Sequence, residues 1–334
     1  MIVRLLACAV SIACAAPTSA QTNPPPLEMP AGKPVLHPHS GVTLPARLSG
    51  LERTGAREYA APQLDVLFTY KDQDGEEELS VYIYRVTTGS PSVWFEQAVR
   101  PISDRPAFRR MTDVDLPLGF ALPGQRLATG MRAAWAVSDS QVKSTVLALV
   151  PIGDWLVKFR HSSTTLDAAT LTRRLDAMIA RIGWPAAVVN APAPERIAAC
   201  TTPLKLDGAS KPVSQARAPA PLGELLLGVP AEADRKIPDW CMDRTVGSPL
   251  PIYRPAGTDD RYLAGLSDSG HAAWVRPAAS GSAGNDRKPR WAVSIVLAGT
   301  TINYDNRDRL PPPAELDAIL EGRETSRIKT WGQR

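Results

Sequence analysis

Two stretches of strict two-residue alternation, each folding back on itself through a turn, constrain this chain more than anything else in it. Leu64 to Lys71 (LDVLFTYK) sets Leu64, Val66, Phe68 and Tyr70 on one side, the period of a half-buried strand. Asp72-Gln73-Asp74-Gly75 follows, with glycine where a positive φ is needed. Glu78 to Val86 (ELSVYIYRV) then alternates again, so the pair reads as a β-hairpin. Val142 to Val150 and Trp155 to His161 repeat the arrangement around Pro151-Ile152-Gly153-Asp154. Such a chain builds on antiparallel sheet.

Helical periods are fewer. Ser90-Pro91 can open a helix through Val93, Trp94, Gln97, Ala98 and Ile102. Thr164 and Asp167 suggest a capping box, followed by the stripe Leu171, Leu175, Met178, Ile179 and Ile182, with Gly183 and Pro185 to end it. Met131, Ala133, Trp135 and Val137 suggest one more strand. In the C-terminal third, 251–254, 261–266, 271–276, 291–297 and 301–304 read as short strands, with a tight turn at 267–270 and a loop at 281–286. Pro312-Pro313 opens a short helix through Leu316, Ile319 and Leu320, closed by Gly322.

The expected fold class is therefore α+β, in two domains, each an antiparallel sheet covered by one or two helices. Residues 46–184 form the first and residues 222–334 a smaller second. The 32 prolines mark what lies outside them: an extended tail over 21–45, where Asn23-Pro24-Pro25-Pro26 and later prolines oppose regular structure, and a Pro/Ala-rich linker over 185–221. Both domains end in a hairpin followed by one helix, which raises an internal duplication.

Residues 1–20 indicate the compartment. Arg4 precedes an apolar run from Leu5 to Ala16, and Thr18-Ser19-Ala20 supplies small residues before Gln21, the layout of a secretory signal peptide. The run is too short to span a bilayer. Cleavage near Ala20 would leave 314 residues, a length that favours more than one core, with 37 basic and 34 acidic side chains and no second long apolar stretch. That balance argues against nucleic acid as a partner, and no transmembrane segment is expected in the mature chain. Cys8 and Cys14 would leave with the leader; neither sits in a convincing lipobox. Cys200 and Cys241 would remain in an oxidising space, where a disulfide between them is expected.

Chemistry is sparse. The acidic run Asp72, Asp74, Glu76, Glu77 and Glu78 lacks the calcium-loop spacing and reads as a solvated turn. His37 and His39 flank Pro38 and could offer two metal ligands, but in a proline-rich tail no rigid site is expected. Ser140 to Lys143 and Ser326 to Lys329 match Ser-x-x-Lys without the Lys-Thr-Gly partner. His161 ends a strand, and Asp268, Ser269 and His271 share one turn. These four are the alternative site, a hydrolase needing Ser, His and acid within hydrogen-bond reach. No Gly-x-Ser-x-Gly elbow, phosphate loop or dinucleotide fingerprint occurs. Of the eight tryptophans, Trp94, Trp135, Trp155 and Trp291 fall on apolar faces, and Trp184, Trp240, Trp274 and Trp331 at ends or loops.

The stretch 47–185 resembles uncharacterised exported proteins of proteobacteria, through GLERTGAREY, the hairpin ending VYIYRV, and GDWLVKFRHSS with its following helix. The hairpin-then-helix ending is also similar to the small sandwich of the PsbP-like proteins. Neither resemblance implies an activity. The expected protein is soluble, periplasmic or extracellular, and non-catalytic, with no cofactor. It would bind or assist in the envelope, its partner an envelope protein or a small ligand, with the cleft between domains as the default site. The alternative is an envelope hydrolase with His161 or His271 as base.

Overall fold

The structure is a computed structural model that describes residues 24–108, 110–185, 194–213, 239–244, 248–278 and 289–332. The leader-like segment with Cys8 and Cys14, residues 186–193 and 214–221 of the expected linker, residues 222–238 and the 281–286 loop lie outside the described residues.

Residues 47–179 form an eight-stranded antiparallel sheet with two helices. β3 (Arg47–Leu48), β4 (Leu51–Ala60), β5 (Asp65–Lys71) and β6 (Glu77–Arg85) run as one meander, followed by α1 (Pro91–Ser103). β7 (Met111–Phe120), β8 (Gly130–Val137), β9 (Ser144–Ile152) and β10 (Trp155–Ser163) run as a second, followed by α2 (Ala168–Ile179). The sheet order is β3-β4-β5-β6-β10-β9-β8-β7. The two meanders meet through their last strands, with Phe159 opposite Val81. The repetition of meander plus helix thus lies inside the first sheet. A short pair, β1 (Val35–Leu36) with β2 (Thr43–Leu44), stands beside it.

The alternation seen in the sequence assigns the two faces. Val66, Phe68, Leu79, Val81, Val157 and Phe159 share one core with Leu171, Leu175 and Met178 of α2. Each such buried side chain contributes about 1.5–3 kcal/mol. Tyr84, Leu147, Leu149 and Leu156 face the other way, with Val93, Trp94 and Phe95 of α1. Ser90 caps α1 through its side chain and Pro91 stands in the first turn. Asp167, not Thr164, caps α2: its Oδ1 accepts the Thr170 N–H at 2.8 Å, while the Thr164 hydroxyl donates to Glu76 O.

The second sheet follows the order β11 (Ala198–Ala199), β13 (Trp240–Asp243), β14 (Ile252–Pro255), β15 (Tyr262–Gly265), β16 (Ala272–Pro277), β17 (Trp291–Val296), β18 (Thr300–Tyr304), β20 (Glu324–Lys329). β12 (Pro212–Val213) pairs with β19 (Asn306–Arg307), which joins β17. All pairs are antiparallel except β11 with β13. A five-residue helix, α3 (Leu316–Leu320), adds Leu316 and Ile319 to a core of Ile252, Tyr262, Val275 and Ile302. The described chain is thus predominantly antiparallel β-sheet with three short helices.

The sheets are not independent. The α1 core continues into Trp240, Tyr253, Leu263 and Trp274. Gln97 of α1 donates to the Tyr253 hydroxyl at 3.3 Å. Residues 24–45, expected within an extended tail lacking regular structure, are pinned at several points: His37, Val42 and Leu44 are fully buried, and Thr43 and Gly183 exchange backbone hydrogen bonds of 2.8 and 2.9 Å. Proline removes donors, but apolar residues among the prolines still gain by burial.

Candidate functional site

The four residues of the alternative site fall on two faces of the first sheet. His161 lies on the face of Val157 and Phe159, in the α2 core, and is fully buried. Its Nε2 is 3.0 Å from Glu77 Oε2, which Arg174 Nε of α2 approaches at 2.7 Å. Burial lowers the His161 pKa and outweighs the pull of Glu77. A neutral ring donating from Nε2 fits this arrangement. Glu77, expected in a solvated turn, is thus a buried carboxylate that hydrogen-bonds the His161 imidazole and ion-pairs with the Arg174 guanidinium. Asp72, by contrast, does close the turn, its Oδ1 accepting the Glu77 N–H at 3.0 Å.

Asp268 and Ser269 meet the opposite face. Lys158 alternates with Val157 and Phe159, so it points away from the α2 core. Its Nζ donates to Asp268 Oδ2 at 2.7 Å and approaches the Asp268 carbonyl at 3.3 Å. It also stands 4.1 Å from the Tyr82 ring centroid and 5.5 Å from that of Tyr84, within cation–π range. Asp65 of β5 joins this group. Burial raises its pKa to about 6, against the opposing pull of Lys158, and Ser269 lies in hydrogen-bonding relation to it. Tyr84, wholly buried here, has its pKa pushed well up by burial. The turn is pressed close: a Cβ on Gly270 would lie 2.8 Å from Val86 Cγ1 and 3.2 Å from Arg85 O. His271 follows the turn with its pKa lowered by burial, opposed by Asp268. Asp268, Ser269 and His271 therefore belong to a partly buried polar turn where the sheets meet, while His161 stands across the first sheet from it.

The remaining motifs resolve into packing. His37 Nδ1 pairs with Ser40 Oγ at 2.8 Å and Nε2 with Gln63 O at 2.9 Å, so both ring nitrogens are engaged. Burial lowers its pKa to about 4. His39 packs against Trp331 at 4.9 Å and stacks on Trp155 at 5.9 Å. No group of three or more His, Cys, Asp or Glu side chains among the described residues converges as a metal would need. Ser140 precedes β9 and accepts the Val142 N–H, whereas Lys143 donates to Thr165 O. Ser326 and Lys329 lie in β20. Both Ser-x-x-Lys matches thus lie outside helices. Trp240 and Trp274, read as lying at ends or loops, are strand residues packed 5.8 Å apart.

Cys200 and Cys241 are at bonding distance, S–S 2.04 Å, across a separation of 41 residues. Parallel pairing of β11 with β13 brings them together, and the Cys200 N–H donates to Met242 O at 3.0 Å. Arg254, opposite Cys241 on β14, is buried with Asp243 at 3.0 Å and also donates to Thr202 O. The staple and this ion pair fix the segment after 194 to the sheet edge. Among the described residues no helix is long and apolar enough to cross a membrane.

Two cavities among the described residues bear on binding. One of about 370 Å³ is lined by Phe120, Arg132, Asp176 and Ile179, where the Arg132–Asp176 ion pair crosses its wall. The other, about 170 Å³, lies where β6 passes into α1, beside the β9–β10 turn. Thr87, Thr88, Ser90, Trp94 and Asp154 line it. Gly89 takes φ +74°, and a Cβ there would lie 2.9 Å from Trp94 Nε1, which donates to Thr88 O at 2.8 Å. Sequence reading gives no sign of this cavity because threonine and glycine before a helix carry no chemical motif. The space between the sheets, the default site expected from sequence, is filled by Trp94, Phe95 and Trp274. In comparisons with known proteins, no family model and no curated protein matches the chain.

Proposed function

We propose that this chain is an exported protein of the bacterial envelope, periplasmic or extracellular, that binds a partner or small ligand rather than catalysing a reaction. The observation that carries the reading is the Cys200–Cys241 pair at bonding distance. These are the two cysteines that follow the leader-like segment 1–20, and such a pair suits a chain folded where thiols oxidise. The resemblance of 47–185 to exported proteins of proteobacteria supports it further. Binding rather than catalysis is supported by how the titratable groups are used. His161 is tied to Glu77, His37 to Ser40 and Gln63, and Lys158 to Asp268. The hydrolase alternative with His161 as base is less well supported, because His161 and Ser269 stand on opposite faces of the first sheet; with His271 as base it would rest on the turn that also carries Asp268 and Ser269.

The test is to express the full chain in a Gram-negative host, fractionate it and label thiols. The expected result is a periplasmic product beginning at Gln21, with Cys200 and Cys241 protected from alkylation until reduced. A cytosolic product with Met1 intact and both thiols reactive overturns the reading.

A further inference from the structure

One row of side chains on the first sheet is rich in donors and has no acid among them. Thr69 of β5, Ser80 of β6 and Arg160 of β10 stand opposite one another across three strands. Side chains so opposed lie about 5 Å apart at Cβ. Their chain neighbours Phe68, Val81 and Phe159 belong to the α2 core, so alternation sets the row on the other face. On that face α1 lies against β9, and the 267–270 turn reaches Lys158. Between these two coverings Thr69, Ser80 and Arg160 stay part-exposed, as does Tyr82, the diagonal neighbour of Arg160.

Arg160 is held in place. Its guanidinium lies 5.1 Å from the ring centroid of Phe108, in the 3₁₀ turn Pro106–Phe108 that follows α1. Arg105, which is exposed, immediately precedes that turn. Burial lowers the Arg160 pKa, and the Arg105 charge lowers it further. The acids that pull the other way are already paired: Glu78 with Lys71 at 2.9 Å and Asp268 with Lys158 at 2.7 Å. Among the described residues neither guanidinium has an ion-pair or hydrogen-bond partner, and the hydroxyls of Thr69, Ser80 and Tyr82 are equally unengaged. None of these polar atoms is sealed from solvent. Two like charges without a counterion raise each other's energy, and an anion between them relieves it.

Resting on the binding reading above, we propose that this row binds the phosphate of a soluble monoester, held by the Arg160 and Arg105 guanidiniums with the Ser80 and Tyr82 hydroxyls donating. Two guanidiniums match the two charges of a monoester, and the planar fork of each matches its oxygens. The hydroxyls add donors from a second strand, more than the two oxygens of a lone carboxylate call for. The floor is set back between the Phe108 turn and the 267–270 turn, where a free molecule enters and a flat bilayer does not.

The experiment is calorimetric titration of the full oxidised chain with glycerol 1-phosphate, and separately with sodium acetate, at constant ionic strength and pH 8, where a monoester carries two charges. Glycerol 1-phosphate is expected to bind at least tenfold more tightly than acetate. Arg160→Gln and Arg105→Gln are each expected to weaken it about tenfold, as the loss of one charge-assisted hydrogen bond does. Arg160→Lys, which keeps the charge without the fork, should recover only part. Arg47→Gln, which removes an exposed cation at the β3 edge, should leave the affinity unchanged. Acetate binding as tightly as the monoester would reduce the row to a general anion patch and overturn the proposal. So would absence of monoester binding, equal weakening by Arg47→Gln, unchanged affinity in folded Arg160→Gln, or binding to phosphatidate vesicles without binding to glycerol 1-phosphate. If Arg160→Gln does not fold, the exposed Arg105→Gln decides in its place. Fractionation reads export independently, so a failed titration removes the ligand without touching the envelope reading.

Discussion

Lys158 donates to the Asp268 carboxylate across 2.7 Å, tying the middle of β10 in the first sheet to a turn between β15 and β16 in the second. Lys158 is 3 % exposed and Asp268 about a third exposed. Removing the acid leaves a buried ammonium without its counterion, which costs more than the pair itself contributes. Asp268→Ala is therefore expected to lower unfolding free energy by about 2–3 kcal/mol, reduced from the fully buried case by the solvent at Asp268. Adding Lys158→Met should recover part of the loss. Urea unfolding of the two singles and the double variant checks both; additive losses would refute the coupling.

Gly265 and Gln97 make a second tie. A Cβ on Gly265 would lie 1.9 Å from Gln97 Nε2, so β15 and α1 touch with no room for a side chain. Gly265→Ala must displace a buried glutamine from Tyr253, at a cost of about 1–3 kcal/mol. In a Gln97→Ala background the same change should cost less than half as much. Equal costs in the two backgrounds, measured by denaturant unfolding, would mean the sheets are not packed through this contact.

The sequence spoke most clearly where one side of a strand is buried. The Leu64–Lys71 and Glu78–Val86 alternation gave β5 and β6, and Trp155–His161 gave most of β10, because each lies inside the sheet with a core against the odd or even positions. β4 and β7 went unread. Leu51–Ala60 carries Glu52, Arg53, Arg57 and Glu58 near the sheet margin, and β7 is an edge strand containing Pro117 and two register shifts. Edge strands need no clean alternation and are guarded by such irregularities. β20 was hidden for the same reason, as a polar strand at the other sheet's margin. Asp268 and Ser269 were legible as a polar turn, but their partner Lys158 sits 110 residues away. Nothing local couples two such positions.

Asp65 and His37 predict opposing pH effects. Burial raises the Asp65 pKa to about 6 from 3.8, so between those values the native state holds a proton the unfolded chain has lost, and stability falls as pH rises through 6. Asp65→Asn is therefore expected to gain about 1–3 kcal/mol at pH 8, with the gain shrinking as pH falls toward 4. His37, lowered to about 4 from 6.5, works the other way. Its contribution is fully present above pH 6.5 and is lost as pH falls toward 4, because the unfolded chain takes up the proton first. Unfolding free energies of the natural protein and of Asp65→Asn from pH 4 to 8 check the signs. A gain that grows on acidification would contradict the burial of Asp65.

Cys200 and Cys241 close a loop of 41 residues. In the chain-entropy view this restricts the unfolded ensemble by about 4 kcal/mol, an upper figure because unfolded chains retain structure. Cys200→Ser should lower the melting temperature under oxidising conditions. Under reductant it should match the natural protein, whose bond is then also open. The native sheet offers a reason to expect the full difference: β11 pairs with β13 over only Ala198 and Ala199, too little to hold the edge once the staple is gone. Arg254 would still reach Thr202 O from β14, so the loss should be confined to the segment around Cys200. Hydrogen exchange can locate it there, with a larger rise over the natural protein at the residue-200 amide and at Met242 than at Tyr262 or Val275. Equal melting losses in oxidised and reduced samples would mean that serine disturbs packing rather than opening a bond.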